Sequence, residues 1–385
     1  MIPGPSTVEC SDNQRMKILF YYTSNKRSIS LETLFRELIR RNYDVWLLTT
    51  CEAGDLHQQA SHLGVQCHTH SLVKRNTFTY HWHQIRFLVA FCRQHRVDVV
   101  FSHLQQVNII AVLTNFFLRA KVVIFRHHDY ARNRKEKWAD ALINWLAPII
   151  IVPSSGVQKR MLDTENVSSR KLSVIPYIYD FDSYQQPNAA LTKRIREQHA
   201  CQLLLIMVSR MVPQKRHPLA FAVVKKLVAD GFDIKMLVMD TGYDEEKLRQ
   251  AIQNDHLQNH VFMLGFQTNV IDYISAADAL VHISTSEASC SAVKEAALSG
   301  KIVVACRHVG DFDDYLIDQK NGFLLDVAHT YEQLYQVLKR IYFEKNTMVE
   351  LTHQAREAVL QRFSTSEQVM QQYDALIQKS PLVRG

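Results

Sequence analysis

No apolar run in this chain approaches the ~20 residues a membrane-spanning helix needs. The longest, around Trp145–Pro153 and Leu203–Val208, stop well short. The opening Met1–Gln14 is polar and lacks the apolar core of a signal peptide. Met16-Lys17-Ile18-Leu19-Phe20 reads as the start of a first strand, with the residues before it an extension or a remnant of cloning. Cysteines are scattered and unpaired in sequence: seven are present, Cys10, Cys51, Cys67, Cys92, Cys201, Cys290 and Cys306, with no C-x-x-C. That excludes a disulfide framework and points to a reducing, cytoplasmic compartment. Glycine is missing from Thr23-Ser24-Asn25-Lys26-Arg27, just after the first apolar run. A glycine-rich dinucleotide fingerprint is therefore absent, and no P-loop occurs elsewhere. No repeat of solenoid period is present.

What remains is an ordinary globular composition, 47% apolar and 22% charged, which excludes disordered, collagen-like and low-complexity classes. A length of 385 residues predicts about two domains, each able to bury its own core. Charge is uneven. Residues 1–198 carry 26 Lys and Arg against 16 Asp and Glu, a net of +10, and the remainder nets −3. Such asymmetry suggests that the first half faces an anionic partner, with nucleic acid, anionic lipid and a charged acceptor all open.

Along the chain, short apolar runs alternate with amphipathic stretches. Lys17–Thr23, Asp44–Thr50, Val65–His70, Val97–Phe101, Val122–Phe125 and Pro148–Val152 read as strands. Leu31, Leu34, Phe35 and Leu38 fall at helical spacing between the first two. The alternation breaks over Tyr179–Ala200, which reads as a linker, and resumes with strands at Gln202–Ser209, Phe232–Met239, Val261–Leu264, Ala279–Ile283 and Ile302–Cys306. Helices are expected over Pro218–Ala229, Glu245–Asn254, Ala292–Leu298 and Tyr331–Tyr342. Ser364-Thr-Ser-Glu367 is a capping box opening a last helix, Glu367–Gln378. Strands alternating with helices give parallel sheets. The fold class is therefore α/β, with two doubly wound Rossmann-like domains and a terminal helix. Ligands of such folds bind beyond the carboxyl ends of the strands, so a cleft between the two domains is the expected site.

Two stretches carry chemistry. In Ile283–Val304, Glu287 and Glu295 are separated by seven residues, with the small residues Ala288, Ser289, Cys290, Ser291 and Ala292 between them. Small side chains where a helix begins let backbone N–H groups approach an anion. Glu287 in the loop suits a sugar hydroxyl, and Glu295 one turn into the helix suits a ribose. On spacing alone, two solvated glutamates are the simpler reading. In Leu203–Arg216, Arg210 and Lys215 follow an apolar strand in a short loop, as a diphosphate site would need. A basic surface turn is the alternative.

Together these pieces resemble the retaining glycosyltransferases of family 4, which have the two-domain GT-B fold. The resemblance runs from Met16 to Gln378 and is densest in the second half. Arg210 and Lys215 look like that family's arginine, four-residue gap, lysine motif. Glu287 and Glu295 look like its glutamate, seven-residue gap, glutamate motif. Met263-Leu264-Gly265-Phe266, Ala276-Ala277-Asp278-Ala279, Val309-Gly310 and Asn321-Gly322-Phe323-Leu324 stand where the family has related sequences. The sequence departs from the pattern at Ser28–Ser30, Tyr177-Ile178, Arg216, Ala288 and Asp311.

The resemblance implies an acceptor-side domain over residues 1–198 and a donor-binding domain over 199–363, facing across a cleft. Residues 364–385 would then return to the first domain. It implies a nucleotide diphosphate sugar donor (UDP-, GDP- or another), no cofactor and no metal. Arg210 and Lys215 would hold the diphosphate, Glu295 the ribose and Glu287 the sugar, with Gly265, Phe266, Ser291 and Ala292 completing the donor site. In Phe125-Arg126-His127-His128-Asp129, His128 matches the family's donor-facing histidine, with His127 as the alternative and Arg126 available to an anionic acceptor. A glycan or lipid-linked acceptor, as in cell-envelope polysaccharide synthesis, is expected. The alternatives are a non-catalytic sugar-nucleotide-binding protein and a sugar-nucleotide epimerase. Cations and aromatics mix at Lys74, Arg75, Phe78, Tyr80, Trp82, Arg86 and Phe87. That mixture suggests peripheral docking on an anionic membrane surface, with a solvated helix face as the alternative. Nucleic acid fits less well, since no recognition motif accompanies the charge. Cys67-His68-Thr69-His70 and His81-Trp82-His83 lack the convergent ligands of a zinc site.

Overall fold

The structure is a computed structural model that describes residues 15–71, 77–127, 134–181, 186–364 and 367–378. Among the described residues, thirteen strands form two sheets. The first contains β1 (Lys17–Tyr22), β2 (Asp44–Thr49), β3 (Gln66–Thr69), β4 (Val99–His103), β5 (Lys121–Phe125), β6 (Ile150–Val152) and β7 (Leu172–Val174). The second contains β8 (Leu203–Val208), β9 (Ile234–Met239), β10 (Val261–Gly265), β11 (Ala279–His282), β12 (Ile302–Cys306) and β13 (Phe323–Leu325). Their orders are β3-β2-β1-β4-β5-β6-β7 and β10-β9-β8-β11-β12-β13. Strands β1, β4, β5, β8, β11 and β12 are apolar along most of their length because helices cover both faces of a parallel sheet. In β1, Leu19 sits opposite Trp46 and Phe20 opposite Phe101. Phe20 also meets Phe35 edge-on at 4.8 Å, from the helix Ile29–Arg40.

By internal contacts the chain divides into two compact units. One comprises the described residues within 1–126, 133–151 and 370–385, and the other those within 127–132 and 152–369. In the first, the helix Glu367–Gln378 is tied down by its own side chains. Asp374 accepts from Arg41 at 2.6 Å and from the Tyr43 hydroxyl at 2.8 Å, and Lys121 donates to the Leu376 carbonyl. The capping box read at its start falls partly on Thr365 and Ser366, outside the described residues.

The second half of the stretch read as a linker is a helix, Ala189–Gln198. Its N-cap, Asn188, accepts from the Leu191 N–H at 3.1 Å. Ile195 is buried, and Arg196 pairs with Asp278 at 2.9 Å. Leu191 packs against the same core as Ile195, and the Asn188 N–H donates to Asp272 at 2.6 Å. Two large apolar residues in ten, with polar bonds doing the rest, leave little mark in a hydropathy pattern. The helix Val349–Phe363 was also not expected. It buries Ala355, Val359 and Phe363 at i, i+4 and i+8 among polar neighbours.

Candidate functional site

In the second sheet, β8 and β11 are neighbours from which the chain winds outwards in opposite directions. The loops leaving their carboxyl ends therefore open a crevice between them, the usual ligand position of a doubly wound sheet. The loop after β8 carries Arg210 and a 3-10 turn, Pro213–Lys215, and the loop after β11 carries Glu287. A backbone hydrogen bond from Thr285 N–H to the Gln214 carbonyl, 3.0 Å, stitches the two loops together. Arg216 takes a left-handed conformation, φ +59°, and starts the helix His217–Ala229. Gly242 lets the Met211 backbone pass, since a Cβ there would lie 2.3 Å from the Met211 carbonyl oxygen.

Lys215 and Glu287, 72 residues apart, form an ion pair, with Lys215 Nζ donating to Glu287 Oε1. His282, the last residue of β11, places Nε2 at 2.6 Å from the same oxygen. Its Nδ1 lies 3.8 Å from the Cys290 Sγ. Burial works against the charged form of His282, but Cys290 and Glu287, bonded to its two nitrogens, outweigh it and raise the ring to about 9. Burial likewise opposes the Glu287 carboxylate, and His282 and Lys215 outweigh it, lowering the group to about 2. The carboxylate is thus held ionised between two cations. Gly310, φ +59°, packs against it: a Cβ at this position would lie 2.8 Å from the Glu287 Cβ.

Glu295 lies in the helix Ser291–Leu298 and is half-buried. Its side chain has no hydrogen bond or ion pair among the described residues, and burial raises it to about 7, with Lys294 opposing. Arg210 is exposed and makes no side-chain hydrogen bond or ion pair among the described residues. Ser291 is exposed at the helix start and Ala292 is buried. Gly265 ends β10 in a left-handed conformation, φ +68°, and its carbonyl accepts from Asp240 N–H at 2.9 Å. Phe266 is 70% exposed. His128 lies outside the described residues. His127 is half-buried and hydrogen-bonds the Tyr177 hydroxyl. Arg126 is buried at the end of β5, where Asp140 at 3.3 Å and Asn144 at 3.0 Å hold its guanidinium.

Several residues behind the site went unread in the sequence. His282 is one; its signal is a polar residue closing an apolar strand. Lys294 and Asp311 are others. They form an ion pair at 2.7 Å with each side chain 1% exposed. Ser289 donates to the same Asp311 oxygen at 2.6 Å, and Lys294 lies 4.2 Å from the Phe363 ring centroid. A lysine among the small residues before Glu295 marks the pair. Two Asp-x-Asp triplets also occur, Asp180–Asp182 and Asp311–Asp313. Asp182 lies outside the described residues. In the second triplet, Asp311 is engaged by Lys294, and Asp313 accepts from His308 N–H at 2.5 Å.

Lys74 and Arg75 lie outside the described residues. Trp82 and Arg86 are exposed on the helix Thr77–His95, while Phe87 stacks on His70 at 3.5 Å and His68 on Trp46 at 5.2 Å. Among the described residues no group of three His, Cys, Asp or Glu could hold a metal, and no helix is long and apolar enough to cross a membrane.

Comparison with known proteins adds to this geometry. The family model described as Glycosyl transferases group 1 matches residues 192–358, and that described as Glycosyltransferase Family 4 matches residues 28–183. The chain is 26% identical over 158 residues to the poly(ribitol-phosphate) alpha-N-acetylglucosaminyltransferase of Staphylococcus aureus, covering 41% of this chain and 32% of that protein. It is 21% identical over 257 residues to an N-acetylgalactosaminyltransferase of Campylobacter jejuni, whose name gives a diphospho-undecaprenol acceptor, covering 64% of this chain and 68% of that one. Of the Staphylococcus protein and two further curated relatives it spans 32%, 55% and 44% of the length. Among solved structures, Anabaena Alr3699/HepE in complex with UDP and glucose superposes with a TM-score of 0.78 at 19% identity, covering 95% of this chain and all of that one. A glycosyltransferase from Rickettsia africae gives 0.80 at 17% identity, covering 96% of this chain. The likeness carries the fold, the α/β GT-B architecture with two Rossmann-like units.

Proposed function

The chain belongs to glycosyltransferase family 4, and from that premise we propose that it is a retaining, metal-independent glycosyltransferase. It moves a sugar from a nucleotide diphosphate sugar to a glycan or lipid-linked acceptor in cell-envelope polysaccharide synthesis. One observation carries the reading: Lys215 and Glu287, from separate motifs, meet at the switch point of the second sheet. The exposed Arg210 stands in the same loop as Lys215. The Anabaena relative's complex with UDP and glucose supports a nucleotide-sugar donor. The polyol-phosphate and diphospho-undecaprenol acceptors named for the bacterial relatives support the acceptor class.

Arg210 and Lys215 bind the diphosphate and neutralise the charge that grows as it leaves. Such preorganised charge is worth about 2.7–4 kcal/mol per donor. They supply the charge that a divalent ion supplies in metal-dependent transfer. Glu295 binds the ribose hydroxyls and Glu287 the sugar, while Gly265, Phe266, Ser291 and Ala292 line the donor site. His128 contacts the donor sugar by family likeness. The bond from the anomeric carbon to the phosphate breaks through an oxocarbenium-like state. The acceptor oxygen attacks on the same face, and its proton passes to the departing phosphate. Residues 1–198 form the acceptor side, 199–363 the donor side, and 364–385 return to the first. The basic first half docks the enzyme on the anionic inner surface of the membrane.

The test is thermal shift against nucleotide diphosphate sugars, with and without EDTA, followed by turnover with acceptor. Ligand at 100 times Kd adds about 2.7 kcal/mol of stability. One donor family should shift the protein regardless of EDTA and lose its effect in Lys215→Ala. A shift without release of nucleoside diphosphate would favour a binding protein. Conversion of the sugar without acceptor would favour an epimerase.

A further inference from the structure

At the opposite end of the first sheet from Arg126, where β4 and β5 begin, lies a pocket of about 580 Å³. Arg93 and Arg96 line it from the end of the helix Thr77–His95, and Arg119 from the turn before β5. Arg93 donates to the Phe117 carbonyl at 3.2 Å. Arg96 and Arg119 are exposed, with no side-chain hydrogen bond or ion pair among the described residues. The one carboxylate in the lining, Asp98, already accepts from the Lys17 N–H at 2.7 Å. A cation at a helix C-terminus complements the dipole, which accounts for Arg93. It does not account for Arg119, which comes from a different loop. Beside the arginines, Phe116 and Phe117 are each 56% exposed.

We propose that this pocket and its phenylalanine rim form a docking site for the phosphate headgroup of an anionic membrane lipid. The inference rests on the membrane-docking part of the proposed function and names the surface that performs it. Three guanidiniums around a concavity suit a phosphate, which arginine binds bidentately. Free phosphate would explain the arginines but not two adjacent exposed phenylalanines. Apolar side chains rimming a cationic site are what a bilayer interface accepts, with rings at the acyl boundary and charges at the headgroups. The site lies at the amino ends of the strands, and ligands of such sheets take the carboxyl ends. A lipid bound here leaves the substrate end of this unit open.

The test is co-sedimentation of the full chain with phosphatidylcholine vesicles, with and without phosphatidylglycerol. It uses the wild type, Arg96→Glu/Arg119→Glu and Phe117→Ser. Donor-induced thermal shift serves as the folding control, since none of these residues belongs to the donor site. The wild type should sediment with the anionic vesicles only, and less as salt rises. The double variant should lose more than about tenfold in affinity, since each basic residue near the surface contributes on the order of 1 kcal/mol. Phe117→Ser should weaken the binding that survives in salt. If the wild type binds and the double variant binds equally, the surface is wrong while membrane docking stands. If the wild type ignores anionic vesicles, both fall and the donor-site reading is untouched. Release from vesicles by millimolar-range inorganic phosphate or by a single-stranded oligonucleotide, with Phe117→Ser unchanged, would replace the lipid with a soluble anion.

Discussion

His282 Nε2 lies 2.6 Å from the same Glu287 oxygen that Lys215 engages. The carboxylate is therefore pinned between a buried ring and a lysine. A diphosphate bound at Lys215, as proposed, would compete with Glu287, while His282 would still bond the glutamate. Lys215→Ala should abolish the donor-induced thermal shift and lower kcat by ~10²–10³, the loss typical of one preorganised donor. Full turnover by the variant would remove Lys215 from the mechanism.

The raised ionisation of His282 also makes a stability prediction. Its folded value, about 9, exceeds the ordinary 6.5. The charged ring thus contributes fully below pH 6.5, and the contribution disappears as pH rises towards 9. Denaturant unfolding should give a free energy that falls across this window. His282→Gln should flatten the slope there, since the amide still bonds Glu287 but does not titrate.

Glu295 behaves differently because its carboxyl is shielded without a bonded partner among the described residues. Its value is raised from 4.5 to about 7. The protonated form is favoured by folding, so stability falls as pH climbs from 4.5 through 7. Glu295→Gln should raise Tm of the ligand-free protein at mildly alkaline pH while losing the donor-induced shift. A lower Tm in the variant would mean that the carboxylate is held by an interaction of its own.

Gly310 and Gly300 provide a matched pair. Both have positive φ, +59° and +67°, but a Cβ at Gly300 meets nothing within 4 Å whereas at Gly310 it meets Glu287. Gly300→Ala should cost only backbone strain, about 1 kcal/mol. Gly310→Ala should cost more, on the order of 3 kcal/mol, and should also weaken donor binding. Equal effects on binding would show that Gly310 does not position Glu287.

The Lys294–Asp311 pair is 1% exposed on both sides. Removing one partner leaves a buried, uncompensated charge, so Lys294→Leu should cost about 3–5 kcal/mol. Lys294→Leu/Asp311→Asn should recover much of that. Additive losses in a double-mutant cycle would show that the two charges do not depend on each other.

The sequence by itself determines the alternation of elements and hence the α/β class, because strands buried on both faces must be apolar along their length. Lys17–Tyr22, Leu203–Val208 and Ile302–Cys306 can be read for that reason. It also fixes the spacing of Arg210 with Lys215 and of Glu287 with Glu295. Short elements escape such reading. Strands β7 and β13 have three residues each, too few to show a period, and the helix Ala189–Gln198 carries only one buried residue. Tertiary structure alone decides which side chains share an atom. The winding outward from β8 and β11 brings Lys215 to Glu287, a strand end puts His282 beneath both, and Gly310 closes the back. Their meeting depends on hydrogen-bonded register between strands far apart in the chain, which local sequence does not encode.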